Sequence, residues 1–337
     1  MTGGRRPAAA FAMAPDAAAA VLTSAARAAF AESCDVAPGP VLDDFTTPRA
    51  AAVLRDTELL ITGWGCPPLD AAALAAAPRL RAVVHTAGSI RGHVTPACWE
   101  RGIEVSSAAA ANALPVAEYT VAMILLTGKQ VLEQARGYRA ARSRPDGFSG
   151  PDLGNYRRTV GVLSASMIGR RVIELLRPYD LRVLLHDPYV SAAEARELGV
   201  QPAGLAELFA HSDVVSVHTP LLPATRGLVD RDLIFSMRPG AVLLNTARGA
   251  VLDQQALVDA ATAGRVRAVL DVTDPEVLPA DHPLWTCDNV LITPHVAGSQ
   301  GNELGRLADF AATEAARWAA GTGFAHPVRP ERLDFLA

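Results

Sequence analysis

The stretch Thr159-Val160-Gly161-Val162-Leu163-Ser164-Ala165-Ser166-Met167-Ile168-Gly169-Arg170 reads as an apolar strand, a turn of small residues and the start of a helix. Such a strand-turn-helix opens a dinucleotide-binding βαβ unit, where glycines stand in the pattern G-x-G-x-x-G. Only the third glycine, Gly169, is present; Ser164 and Ser166 occupy the first two positions. The first position makes the tight turn and the second lets backbone approach a pyrophosphate, so Cβ atoms there crowd the phosphates or loosen the turn. Serine hydroxyls can donate to phosphate, and the helix N-terminus near Ser166 still offers free N–H groups. A helix start that binds nothing fits the same letters equally well.

Working outward, apolar runs at 159–164, 182–186, 214–218, 241–245, 268–272 and 290–292 read as six strands alternating with alanine-rich helices. That grammar describes a doubly wound parallel sheet of the Rossmann type. Upstream, strands at 9–13, 59–62, 80–85 and 103–106, with a helix near 70–77, predict a smaller α/β domain with a parallel sheet. Pro115 is read as opening a long apolar helix to about residue 142, a hinge and dimer element or simply a core helix. A loop at 143–155 separates it from the next strand. The last helix, 302–320, has no strand after it in this reading and is expected to fold back onto the first domain. The expected division is 1–113 with 297–337, and 114–296.

Asp187 ends the second strand of the larger domain, where a dinucleotide fold places the acid that accepts from both ribose hydroxyls. A carboxylate there repels a 2'-phosphate, and Pro188-Tyr189 supply no arginine for one, so NAD is favoured over NADP. A solvated acid opening a turn before proline is the plainer reading.

Arg248, Glu276 and His295 follow three later strand runs, and strand C-termini are where parallel α/β sheets bind ligands. A guanidinium grips a carboxylate, and an imidazole gives or takes a hydroxyl proton. A carboxylate accepting from that imidazole orients the ring and raises its pKa. Taken singly, Arg248 suits a surface ion pair, Glu276 a solvated site, and His295 a turn.

With 337 residues and half of them apolar, the chain is large enough for two cores. The net charge of -4 gives no case for nucleic acid or a membrane surface, leaving a small molecule as the expected partner. The run 116–126 is short and broken by Glu118, so no membrane span is expected. Cys34, Cys66, Cys98 and Cys287 lack paired spacing for a metal or dithiol centre, which fits a reducing cytoplasm and no metal. The Arg5-Arg6 start superficially suggests an export signal, but Pro15-Asp16 cut its apolar stretch short. Alanine richness and the single lysine, Lys129, carry no mechanism.

Four blocks, His218-Thr219-Pro220-Leu221-Leu222-Pro223-Ala224-Thr225, Asn245-Thr246-Ala247-Arg248-Gly249, Leu270-Asp271-Val272 with Glu276, and Thr293-Pro294-His295, occur in order. With them the chain resembles the D-isomer-specific 2-hydroxyacid dehydrogenase family, which includes phosphoglycerate, formate and phosphite dehydrogenases. The resemblance covers nearly the whole chain and implies two domains, a Rossmann domain and a smaller flavodoxin-like one. It implies that Arg248 binds and polarises substrate, Glu276 supports the histidine and His295 is the acid/base. It places Ser166, Met167, Ile168, Asp187, His218, Thr219, Pro220, Thr225, Thr246, Ala247, His295 and Gly298 along NAD, with Asp271 on the nicotinamide amide. Ala87-Gly88 resembles the loop whose N–H groups hold the substrate carboxylate, with Ser89 next to it as a substrate-binding candidate; Trp64 and His85 end adjacent strands and read as packing and capping residues or as pocket residues. Asn112 to Glu118 matches the crossover between domains. Ser89-Ile90-Arg91 and Val277 depart from the family, the latter where proline often follows the glutamate.

The expected activity is therefore NAD-dependent hydride transfer between nicotinamide and a D-2-hydroxy acid or 2-oxo acid, in a homodimer formed through the NAD-binding domain. Alternatives keep the scaffold for phosphite or a phosphonate-bearing acid, or make the chain a non-catalytic NAD(H)-sensing regulator.

Overall fold

The computed structural model describes residues 5–143 and 153–331; residues 144–152 of the expected linking loop lie outside the described residues. The chain divides into two compact units. One runs to Asn112 and resumes at Ser299, and the other runs from Ala113 to Gly298.

In chain order the first unit begins with β1 (Ala8–Ala12), α1 (Pro15–Val21), α2 (Ser24–Ser33), β2 (Asp35–Val36), α3 (Pro48–Asp56), β3 (Leu59–Thr62), α4 (Ala71–Ala76), β4 (Ala82–His85), α5 (Pro96–Glu100) and β5 (Glu104–Ser107). The boundary falls within α6 (Ala109–Gly128), which α7 (Val131–Ala141) follows. The second unit continues with β6 (Thr159–Leu163), α8 (Met167–Leu176), β7 (Arg182–His186), α9 (Ala192–Leu198), β8 (Gln201–Pro202), α10 (Leu205–His211), β9 (Val214–Val217), α11 (Arg231–Ser236), β10 (Val242–Asn245), α12 (Gln254–Thr262), β11 (Arg267–Leu270) and β12 (Val290–Ile292). The first unit closes with α13 (Leu304–Ala319) and β13 (Pro327–Val328).

The seven-stranded sheet of the second unit has the order β12-β11-β10-β9-β6-β7-β8, all parallel. Strand succession reverses between β6 and β9, the switch point at which doubly wound sheets bind ligands. The central strands β6, β9 and β10 are buried along their whole length because both faces are covered. Along β10, Val242 and Leu244 enter one core while Leu243 enters the other. Gly161 in β6 is glycine for space: a Cβ would lie 2.4 Å from Ser212 Oγ and 2.7 Å from the Leu208 side chain.

The first unit's sheet has the order β13-β5-β4-β3-β1-β2. Its parallel part is flavodoxin-like in succession, with β13 added antiparallel to β5. Ala308, Ala311, Ala312 and Ala315 form the apolar stripe of α13 and join Phe11, Ile61 and Val84 in one core. Buried Glu314 on α13 accepts Ser106 Oγ–H at 2.8 Å and the His326 N–H at 2.9 Å, tying the helix to β5 and to the approach to β13.

Three expectations are corrected. The strand missing after the last helix exists as β13, too short to carry a hydrophobic pattern. A seventh strand, β8, escapes notice for the same reason. The long helix expected from Pro115 is two helices: it starts at Ala109, within an alanine-rich run of high helix propensity that places Pro115 inside. It stops at Gly128, where Asn155 donates to the Leu125 carbonyl and Arg158 to that of Gly128, and Gln130 turns the chain at φ 50°. By length and composition α6 is apolar enough to cross a bilayer, yet Ala117, Val121 and Ile124 form a stripe packed into the second unit's core.

Candidate active site

Strand register brings the second unit's functional candidates onto one edge. Leu163 pairs with Val217, Val217 with Asn245, Asn245 with Leu270, and Leu270 with Ile292. The residues immediately past this line are Ser164, His218, Thr246, Asp271 and Thr293, so all five connections emerge side by side.

Past β10, Asn245 shapes the turn with both ends of its amide. Its Oδ1 accepts the Ala247 N–H and its Nδ2 donates to the Arg248 carbonyl, each at 2.9 Å. Arg248 is half-buried, and its Nη1 donates to the Ala247 carbonyl at 2.6 Å. Gly249 must be glycine, since a Cβ would fall 2.1 Å from the carbonyl carbon of Thr273 and 2.6 Å from the Asp274 nitrogen. The segment leading to Glu276 therefore lies directly against the backbone that follows Arg248.

That segment contains a cis Asp274-Pro275 bond. Thr273 donates to the Pro275 carbonyl at 2.8 Å, and Gln254 brackets Asp274 by donating to its carbonyl and accepting its N–H. These bonds hold the loop where a proline after the glutamate is lacking; Val277 itself is 80% exposed.

His295 donates Nδ1–H to Glu276 Oε1 at 2.5 Å, in a pair about half exposed on both sides. Because a carboxylate only accepts, this contact fixes the tautomer and leaves Nε2 as the outward nitrogen. His295 sits at φ 53°, a conformation that is uncommon for a side chain of this size and that gathers at functional sites. The loop is held there by Asp271, which is buried. Its Oδ1 accepts Thr293 Oγ1–H at 2.6 Å and the Val296 N–H at 2.9 Å, and its Oδ2 accepts the Ala297 N–H. Tyr119 shares a hydrogen bond with Thr293 at 2.7 Å, and burial, partly offset by that bond, raises its phenol pKa. Sequence reading missed Tyr119, Gln254 and Thr273. Their roles depend on partners far along the chain, and only the hydroxyls and amide marked them as polar groups in apolar surroundings.

At the β6–α8 turn, Ser166 caps α8 by accepting the Gly169 N–H at 3.4 Å. Gly169 is required because a Cβ would lie 2.1 Å from the Ser164 carbonyl oxygen. Ser164 occupies the first glycine position and keeps a glycine-like φ of 81°. Met167 is exposed, Ile168 and Gly298 are half-buried, and Asp187 receives the Ala165 N–H at 2.8 Å.

His218 is buried against Ser216 Oγ at 2.9 Å, and burial pushes its pKa down to about 3, so its ring is neutral. Among the described residues its Nδ1 has no partner. Thr219 Oγ1 reaches the Leu163 carbonyl, and Thr225 donates to the carbonyl of Pro220 and accepts the Leu222 N–H. Thr246 bonds Thr120 across to α6 at 3.2 Å, and Ala247 is buried.

In the first unit, Ala87 is buried, Gly88 half-buried and Ser89 exposed, at the end of β4. His85 is 2% exposed. Its Nδ1 meets Thr62 Oγ1 at 2.9 Å, and the same hydroxyl meets His93 Nε2 at 3.0 Å. Burial drives both rings neutral, His93 down to about 4 and His85 well below the usual value. The Thr86 hydroxyl donates to the Thr62 carbonyl, anchoring the loop to this buried cluster. Trp64 is about half exposed, and its carbonyl accepts the Ala14 N–H. No group of three or more candidate metal ligands occurs among the described residues.

Residues 121–297 match the family model described as D-isomer specific 2-hydroxyacid dehydrogenase, NAD binding domain. D-3-phosphoglycerate dehydrogenase of Mycobacterium leprae is 34% identical over 254 residues, 75% of this chain and 47% of that protein. The chain thus spans about half the length of the first such relatives it matches. Glyoxylate reductase of Korarchaeum cryptofilum is 31% identical over 250 residues, 73% of this chain and 75% of that protein. In fold, the crystal structure of a phosphoglycerate oxidoreductase from Rhizobium etli matches at TM-score 0.81 and 23% identity, covering 97% of this chain and 99% of that one. A parallel sheet reversing at β6 and β9, with His295 paired to Glu276 at its C-terminal edge, thus occurs in a chain that belongs to the D-isomer specific 2-hydroxyacid dehydrogenase family.

Proposed function

We propose that the protein is an NAD-dependent dehydrogenase interconverting a 2-oxo acid and a D-2-hydroxy acid. The observation that carries this reading is the His295–Glu276 contact of 2.5 Å at the strand-end edge of an NAD-binding domain. The residues present suit the dinucleotide. Gly169 keeps the helix start against the strand end, Ser166 leaves the first N–H groups of α8 for a pyrophosphate, and Asp187 provides the ribose acceptor. NAD, when bound, accepts or supplies the hydride.

The chain's own residues then perform the acid–base and binding work. His295 Nε2 gives a proton to the substrate carbonyl oxygen in reduction and takes it back in oxidation. Glu276 keeps the ring in one tautomer and one orientation, so the proton is delivered from a fixed point. Arg248 offers its fork to the substrate carboxylate and polarises the adjacent carbonyl. Asp271 acts through the His295 loop and, in this reading, also reaches the nicotinamide amide. The Ala87-Gly88 backbone is proposed as a carboxylate-binding segment of the first unit. Further proposals are a homodimer formed through the second unit and a cytoplasmic setting, which four free cysteines suit.

The test is NADH fluorescence titration followed by turnover against glyoxylate, pyruvate, aromatic and phosphorylated 2-oxo acids, with NADPH as control. His295→Gln is expected to cut kcat by about a hundredfold to ten-thousandfold while NADH binding persists. Unchanged turnover in that variant would sink the acid/base role. An absence of NADH binding by the native protein would sink the dehydrogenase reading, and binding without any turnover would favour a regulator.

A further inference from the structure

The acid at the end of β7 is heavily engaged by its own chain. Asp187 Oδ2 accepts the Ala165 N–H at 2.8 Å and the Ser164 hydroxyl at 3.3 Å, and Oδ1 accepts the Tyr189 N–H at 2.8 Å. A carboxylate has about four lone-pair sites, so three of them are taken and about one is left. A ribose carrying free 2'- and 3'-hydroxyls brings two donors. The two backbone donors are fixed by the turn and by the residues after Asp187, and neither can move aside without unwinding it. The hydroxyl of Ser164 differs: while donating to Asp187 it keeps two lone pairs of its own.

We infer that Ser164 is a ribose-binding residue, taking one of the two ribose hydroxyls on its own oxygen while Asp187 takes the other. The inference rests on the NAD-dependent reading above. Serine at the first glycine position is then more than a tolerated substitution. It keeps the left-handed backbone of the turn, φ 81°, and, in place of the Asp187 site that its own hydroxyl occupies, presents an acceptor of its own to the ribose. The relay runs from ribose O–H to Ser164 Oγ, and from Ser164 O–H to Asp187 Oδ2, with every donor used once.

The experiment is equilibrium titration of the full chain with NADH, and with NADH analogues lacking the 2'- or the 3'-hydroxyl of the adenosine ribose, read by fluorescence. Ser164→Ala removes the hydroxyl and keeps a side chain at the turn; Ser164→Gly removes both. Both variants are expected to bind NADH about threefold to tenfold more weakly, since the Oδ2 site that the hydroxyl vacates lies 3.3 Å from where the Ser164 oxygen stood and the ribose is placed for that oxygen. With one of the two deoxy analogues the native protein and Ser164→Ala should bind alike, because the hydroxyl that Ser164 holds is gone. Ser164→Ala binding NADH as tightly as the native protein, or more tightly, would overturn the proposal. So would an equal loss with NADH and both analogues, which marks a turn that is merely disturbed. Melting temperatures of the free variants separate misfolding from lost affinity, and Ser164→Gly provides a binding readout free of turn strain. If the native protein binds no NADH, the dehydrogenase reading fails; if it does and the variants are unaltered, only the role of Ser164 fails.

Discussion

The turn after β6 and the turn after β10 use small residues for different reasons. After β6, the first glycine position requires a left-handed backbone, and Ser164 adopts it at φ 81°. After β10, Gly249 has an ordinary need of another kind: three backbone atoms of Thr273 and Asp274 lie within 2.6 Å of where its Cβ would stand. A dihedral requirement is an energy that a serine can meet, in return for a hydrogen bond to Asp187. A space requirement filled by another backbone segment has no such remedy. The glycine pattern of a turn therefore mixes replaceable and irreplaceable positions.

Three substitutions would break or sharpen that contrast. The largest effect belongs to Gly249→Ala, which must push the Thr273–Glu276 segment away. A loss of about 3 kcal/mol or more in denaturant unfolding is expected. A displacement of about 1 Å at Glu276 should also lower turnover about a hundredfold. Near-native stability and turnover would show that the loop yields cheaply and would dissolve the distinction. Gly169→Ala comes next, because one carbonyl oxygen, that of Ser164, lies 2.1 Å from the added carbon. A loss of about 1–3 kcal/mol is expected, and NADH binding should weaken as α8 moves from the strand end. Smallest is Ser164→Gly. Relief of about 1 kcal/mol of left-handed strain is opposed by the lost hydrogen bond and by the entropy of a freer unfolded chain. The melting transition should stay within about 1 kcal/mol of the native protein's; a loss as large as that of Gly249→Ala would mean the hydroxyl bond holds the turn together.

The same contrast explains what was legible in the sequence. Six strands of the larger sheet show as apolar runs, most fully in β6, β9 and β10 where both faces are buried, and the two-domain α/β class follows from their alternation with helices. Two-residue strands such as β8 and β13 carry no periodicity and are set by neighbours. Pro115 suits a first helical turn and so points to a later start for α6, whereas the alanines before it are helical already. The break after Gly128 depends on Asn155 and Arg158, which are remote in sequence. At the candidate site, the order of arginine, acid and histidine after successive strands could be read from residue types. The supports could not: Asp271 gathering three donors from the His295 loop, Gln254 bracketing Asp274, and Ser164 bonding Asp187 exist only once strands lie in register. His85 shows the limit most clearly, since a histidine at a strand end fits a pocket or a packing role by type alone, and only the folded register encloses its ring with Thr62 and His93.

The helix α13 gives the chain a schedule. Its alanine stripe completes a core begun by Phe11, Ile61 and Val84, yet nearly the whole NAD-binding unit is encoded between them. During synthesis that face of the first sheet is covered only by α1 and α2 until α13 arrives, while the second unit emerges as one continuous segment. Vectorial translation thus orders the two cores, the later-encoded unit being completed before the earlier one. Until then the part of that face that α13 covers stays open to misassembly on the ribosome.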